Sequence, residues 1–129
     1  KIAIKLGYHR MQNDKLGQEA ADGINKDKQV KNNGKVDFKK LDLDHLSQSQ
    51  IADEINNEEV TIDIAVNHAG VFGSSKDSRT KDGFEMHFGV NYLGHFLLTL
   101  LLVKKIKKSS PARIINLTSN LHRSNNTSN

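Results

Sequence analysis

Polar and apolar residues alternate at the start of the chain, where Ile2, Ile4 and Leu6 fall on one side of residues 1–6. A period of two is the signature of a strand. Gly7 to Asn13 is polar and is read as a turn. From Asn13 or Asp14 the spacing changes: Leu16, Ala20, Ala21 and Ile24 share one helical face, which predicts a helix to about Lys26. Residues 27–34 are polar and close on Asn32-Asn33-Gly34, a turn signal. Residues 35–43, with Val36, Phe38, Leu41 and Leu43, predict a second strand. A helix starting at Asp44 or Ser47 runs to about Asn57, with Ile51 and Ile55 one turn apart. Residues 60–66 are more continuously apolar and predict a third strand. A loop of Gly, Ser and charge covers 67–81, and Asp82 is placed to cap a long helix over 83–108, ended by Pro111. Residues 112–118 predict a fourth strand, and the polar tail 124–129 is expected to be disordered.

The order β-α-β-α-β-α-β implies parallel pairing through right-handed crossovers, an α/β doubly wound sheet over residues 1–123. In such sheets ligands sit beyond the carboxyl ends of the strands. The residues there are Gly7 to Arg10, Asp42-Leu43-Asp44, Asn67-His68-Ala69-Gly70 and Thr118-Ser119. Arg10 is a donor fork suited to phosphate. Asp42 is an acceptor suited to an amino group or hydroxyl. Ala69 and Gly70 let a flat ligand approach the backbone. Ser119 offers a hydroxyl to a substrate oxygen. Each has a plainer reading, as a helix cap, a surface residue or an ordinary turn. Their joint placement at four strand ends favours a site.

Composition narrows the classes. A length of 129 residues suits one domain. There is no Cys, which excludes disulfides, thiolate metal sites and Cys nucleophiles. Nineteen basic against fifteen acidic residues leave a net charge of +4. The densest basic run, Lys104, Lys105, Lys107 and Lys108, lies at the end of a helix, where cations suit the dipole. No aromatic residues interleave with it, so no nucleic-acid partner is expected. Met86 to Val103 carries no Asp, Glu, Lys or Arg, but contains His87, Gly89, Asn91, Gly94 and His95. Polar groups and glycines of this kind predict a buried helix rather than a membrane span. Membrane association is not evident, no secretory signal is visible, and an intracellular location is expected. His87, Asn91 and His95 at i, i+4, i+8 lack a third ligand and a carboxylate, so no metal site is expected.

Over residues 35–122 the motifs resemble the short-chain dehydrogenases/reductases, in particular their retinol-dehydrogenase-like branch. "KLDLDHLSQ" is similar to the family segment whose Asp contacts adenine, here Asp42 followed by Leu43. "DIAVNHAGV" resembles the Asn-Asn-Ala-Gly motif, here Asn67, His68, Ala69 and Gly70. "DGFEMHFGVNYLGHFLLTLLL" resembles the fourth helix, whose Val-Asn-x-x-Gly supplies a catalytic Asn, here Asn91. "SSPARIINLTSN" resembles the strand before the catalytic Ser, which lies three residues after Asn116 at Ser119. The resemblance implies a Rossmann-like fold. It also implies hydride transfer between a nicotinamide and a carbonyl or alcohol substrate, which is expected to be lipophilic. Ser119 would bind the substrate oxygen and Asn91 would hold a water in the proton relay. Arg10 would favour NADP over NAD. The long helix would pair two copies into a homodimer, with Phe96, Leu97, Leu100 and Leu101 at the contact.

Three features depart from the family pattern. The Gly-rich Thr-Gly-x-x-x-Gly-x-Gly turn is absent, since Met11 and Asn13 stand at the offsets from Gly7. Tyr-x-x-x-Lys is absent: Tyr8 and Tyr92 are followed by Gln12 and Phe96. The second Asn of Asn-Asn-Ala-Gly, which ties the sheet together, is His68, read as a structural substitute. One βα unit is also missing. Either residues 1–6 are the second strand and leave a gap of one strand spacing, about 4.8 Å, or residues 1–7 are a degraded first, central strand with the unit after it deleted. The chain therefore reads as an internal segment of an oxidoreductase. The alternative is an inactive short product that serves as a binding or dimerisation module.

Overall fold

A computed structural model describes residues 3–6, 14–27, 36–45, 49–58 and 61–120. Arg10, the turn at 7–13 and the tail 124–129 lie outside the described residues. The order is β1 (Ala3–Leu6), α1 (Asp14–Lys26), α2 (Ser49–Asn57), β2 (Ile64–Asn67), α3 (Met86–Lys107) and β3 (Arg113–Asn116). Three strands form one parallel sheet in the order β1-β2-β3. Their registers align Leu6 with Asn67 and Asn67 with Asn116, so all three carboxyl ends meet at one edge.

β1 is hydrogen-bonded directly to β2. That decides between the two placements of residues 1–6. There is no gap between β1 and β2, and among the described residues β1 forms one edge of the sheet with β2 in its middle. The consequence appears at 36–42, where a second strand was expected and the described residues are irregular. A ladder needs a neighbouring edge in the same sheet. Here Asn25 supplies the hydrogen bonds instead: its Oδ1 accepts from Val36 N–H at 2.7 Å and its Nδ2 donates to Val36 O at 2.8 Å. Phe38 lies over Gly17 of α1, Lys40 pairs with Asp14, and Lys39 pairs with Glu54 and Glu58 of the α2 region. The segment follows the two helices rather than the sheet.

The core is a seam between α2, β2 and α3. Ile51, Ala52 and Ile55 meet Ile62, Ala65, Leu98, Leu102 and Ile106. Each fully buried aliphatic side chain contributes about 1.5–3 kcal/mol. α3 is long and apolar enough to cross a membrane by length and composition. Leu98, Leu102 and Ile106 are buried in the seam, while Phe88, Tyr92, Phe96 and Leu100 of the same helix are exposed. All four residues of β3 are exposed, and among the described residues only β2 pairs with it.

Leu98 is 0% exposed and sits at the middle of this seam. Leu98→Ala is expected to cost about 2–5 kcal/mol, the range for a large-to-small change in a packed core. Denaturant unfolding of the variant beside the parent measures it.

Candidate active site

The helix that carries Asn91 begins later than Asp82. Gly83 adopts φ +85°, which lets the chain fold back. Thr80 N–H then donates to Phe84 O at 2.8 Å and Gly83 N–H to Thr80 O at 2.9 Å. This turn consumes residues 80–84, and Glu85 becomes the cap. Its carboxylate accepts from His87 N–H at 2.9 Å and Phe88 N–H at 2.7 Å, and meets His87 Nδ1 at 2.7 Å. The His87 and Phe88 backbone N–H groups, with the His87 ring, hold the Glu85 pKa down at about 2.

Past the first turn the helix widens into a π-helical stretch, Gly89–Gly94, which contains Asn91. Gly89 allows it to approach the preceding turn, since a Cβ there would run into Thr80 Cγ2. The Asn91 side chain grips the loop after β2 at both ends. Its Oδ1 accepts from Val71 N–H at 2.8 Å, and its Nδ2 donates to Val71 O at 3.0 Å. Gly70 lies beside this pair, where an added Cβ would stand 3.3 Å from Asn91 Oδ1. The main-chain oxygen of Asn91 accepts from His95 Nδ1 at 3.1 Å. Burial pushes the His95 imidazole below its ordinary pKa, against the opposing effect of that carbonyl, so the ring is neutral near pH 7.

Asn67 lies within β2 rather than after it, and is buried. Its Nδ2 donates to Asn116 Oδ1 at 2.7 Å and to Thr99 Oγ1 at 3.2 Å. The tie across the sheet expected at the second position of the motif is therefore made here by the first, while His68 is exposed. A cavity of about 500 Å³ opens beside these groups, lined by Asn67, Asn91, Tyr92, His95 and Thr118 among others. Ser119 follows Thr118 directly and is exposed. The structure thus brings Asn67, Asn91 and the start of the Ser119 segment to one hollow, with Ala69 and Gly70 on the adjoining loop.

Asp42 and Leu43 belong to a second region. Asp42 lines another cavity, of about 320 Å³, with Lys81, His45 and Gln50. Its Oδ1 accepts from Asp44 N–H at 3.0 Å in an Asx turn, so it does not cap α2, which begins at Ser49. Leu43 was expected to face a cofactor. It is 1% exposed, with its side chain buried. Sequence reasoning missed His95, Thr99 and Lys81 as parts of these sites. A 22-residue helix pattern does not tell which face meets a strand end, and Lys81 reads as one more surface cation.

Residues 3–128 match the sequence profile of the short chain dehydrogenase family. Mouse retinol dehydrogenase 12 is 47% identical over 107 residues, which cover 82% of this chain and 33% of that protein. Mouse and human retinol dehydrogenase 13 are each 52% identical over 91 residues, covering 70% of this chain and 27% of theirs. The chain spans a third or less of the length of these relatives.

Two outcomes follow for the cap and the π-helical turn. A folded pKa of about 2 for Glu85 lies below its ordinary 4.5, so its contribution is complete above pH 4.5 and lost as pH falls through 2. Thermal unfolding from pH 5 to 2 should show a loss of stability that Glu85→Gln makes shallower. Gly89→Ala gains about 1 kcal/mol in helix propensity. The collision with Thr80 should outweigh it, so the variant's melting temperature is expected to fall.

Proposed function

Since the chain belongs to the short-chain dehydrogenase/reductase family, we propose that it forms the middle of the catalytic domain of an NADP-dependent oxidoreductase acting on a lipophilic alcohol or carbonyl. The observation that carries this reading is the double hydrogen bond of Asn91 to Val71. It fixes the main chain at Val71, next to exposed Gly70 and beside the hollow lined by Thr118, the residue before Ser119. A flat ring has a glycine to approach at Gly70, and Asp42 offers an acceptor to an adenine amino group. Arg10 is the phosphate contact of this reading, which favours NADP over NAD. Asn67 holds the strand ends in place.

When bound, the nicotinamide supplies or takes up the hydride. The chain's own groups bind and orient. The Ser119 hydroxyl donates to the substrate oxygen, and neutral His95 holds the Asn91 carbonyl in position. The proton donor of the family, Tyr-x-x-x-Lys, does not occur in these 129 residues, so they are expected to show no turnover by themselves.

A second reading, dimerisation through α3, draws on a row of its exposed side chains, of which Tyr92 and Phe96 also border the hollow. Phe88, Tyr92, Phe96 and Leu100 are about half exposed at four-residue spacing. The Phe88–Tyr92 and Tyr92–Phe96 rings stack with centroids 5.3 and 6.1 Å apart. A discrete dimer in light scattering, lost in Tyr92→Glu, supports it.

The whole protein, given retinol and NADP, is expected to form NADPH, and to do so less well with NAD in place of NADP. Ser119→Ala should lower kcat about a hundredfold or more, as for loss of a donor to a reacting oxygen. Absence of hydride transfer with either cofactor and a range of alcohols rejects the reading.

A further inference from the structure

One side chain joins the turn at 42–45 to the loop before α3. Lys81 Nζ donates to Asp42 Oδ2 at 2.6 Å and stands 4.0 Å from Asp44 Oδ2. The Lys81 main-chain N–H donates separately to Asp44 O and Oδ1, both at 3.1 Å. With Asp44 N–H on Oδ1, both oxygens of Asp42 are held. Burial alone would raise the Asp42 pKa. The hydrogen bonds from Lys81 and Asp44, with the charges of Lys81 and His45, outweigh it and hold the carboxyl below its ordinary value. An ionised carboxylate has about four acceptor sites. The two contacts named take one on each oxygen, beside the cavity of about 320 Å³.

We propose that Lys81 is the positioning residue of Asp42. By gripping Oδ2 it keeps the carboxylate turned so that its remaining acceptor sites meet the amino group of an adenine ring. The inference rests on the reading of Asp42 as the adenine contact. A fixed, ionised acceptor discriminates between purines. Adenine brings an N–H donor to it, whereas hypoxanthine brings a carbonyl oxygen, which the carboxylate repels. Lys81 thereby sets base specificity without touching the base.

Adenosine and inosine are the probes, because both are uncharged and a simple loss of attraction for phosphate leaves their ratio unchanged. The whole protein is expected to bind adenosine in preference to inosine, measured by NMR titration. Lys81→Met should reduce that preference about fivefold, the scale of an exposed ion pair, and Lys81→Arg should restore it. Reduced nicotinamide mononucleotide should bind all three forms alike. The main-chain bonds of Lys81 to Asp44 persist in both variants, so the loop stays docked. An adenosine-to-inosine ratio unchanged in Lys81→Met but abolished in Asp42→Asn overturns the role of Lys81 and leaves the adenine reading standing. A ratio unchanged in Asp42→Asn removes the adenine reading, and this inference with it.

Discussion

The side-chain amide of Asn67 joins three elements at one point. From the end of β2 it reaches Asn116 on β3 and Thr99 on α3. Parallel strands pair slightly less favourably per residue than antiparallel ones, and each of these has only four residues. The amide supplies side-chain hydrogen bonds where the ladder is about to end. Because Thr99 lies two turns beyond Asn91 on the same helix, the tie also sets where the π-helical stretch stands against the loop it grips. Displacing Asn67 would separate the strand ends that the site is built on. The arrangement has an energetic cost, since Asn67 Oδ1 and His95 Nε2 are buried with no hydrogen-bond partner among the described residues.

Apolar and polar contacts divide the work along α3. Leu98, Leu102 and Ile106 anchor its second half against α2 and β2. Its first half is held by polar groups: the Glu85 cap, the Asn91 grip on Val71 and the His95 contact with the Asn91 carbonyl. Hydrophobic contact is non-directional and can fix where a helix lies. Hydrogen bonds need set distances and angles, and they determine where particular atoms stand. The half of α3 that faces the candidate site is the half held by hydrogen bonds.

Much of this was legible along the chain. α1 begins and ends as its periodicity implies, β3 falls inside the apolar run that predicts it, β2 overlaps its run and extends to Asn67, and Asn67, Asn91 and Thr118 meet at one hollow, while Asp42 lines another. The failures share a cause. Residues 36–42 have the pattern of a strand, but a strand exists only with a neighbour, and Asn25 takes that place for Val36. Asp82 is a good capping residue by type, but the turn allowed by Gly83 moves the start of the helix to Met86, and Glu85 caps it. Leu43 sits beside a ligand-facing Asp in the motif, yet its side chain points into the interior.

The sequence by itself determined three of the four strands it predicts, the helices between them, the parallel α/β class, and the motifs that assign the family. These are carried by spacings of two to four residues or by short words of fixed composition, and are complete within a few turns of chain. The tertiary structure decided that β1 lies directly against β2, that Asn91 holds Val71, that Asn67 joins β3 to α3, and that Lys81 meets Asp42. Each is a contact between residues 20 or more positions apart. Local periodicity records which face of an element is apolar. It carries no information on which distant donor will meet which acceptor, and that depends on how the elements pack.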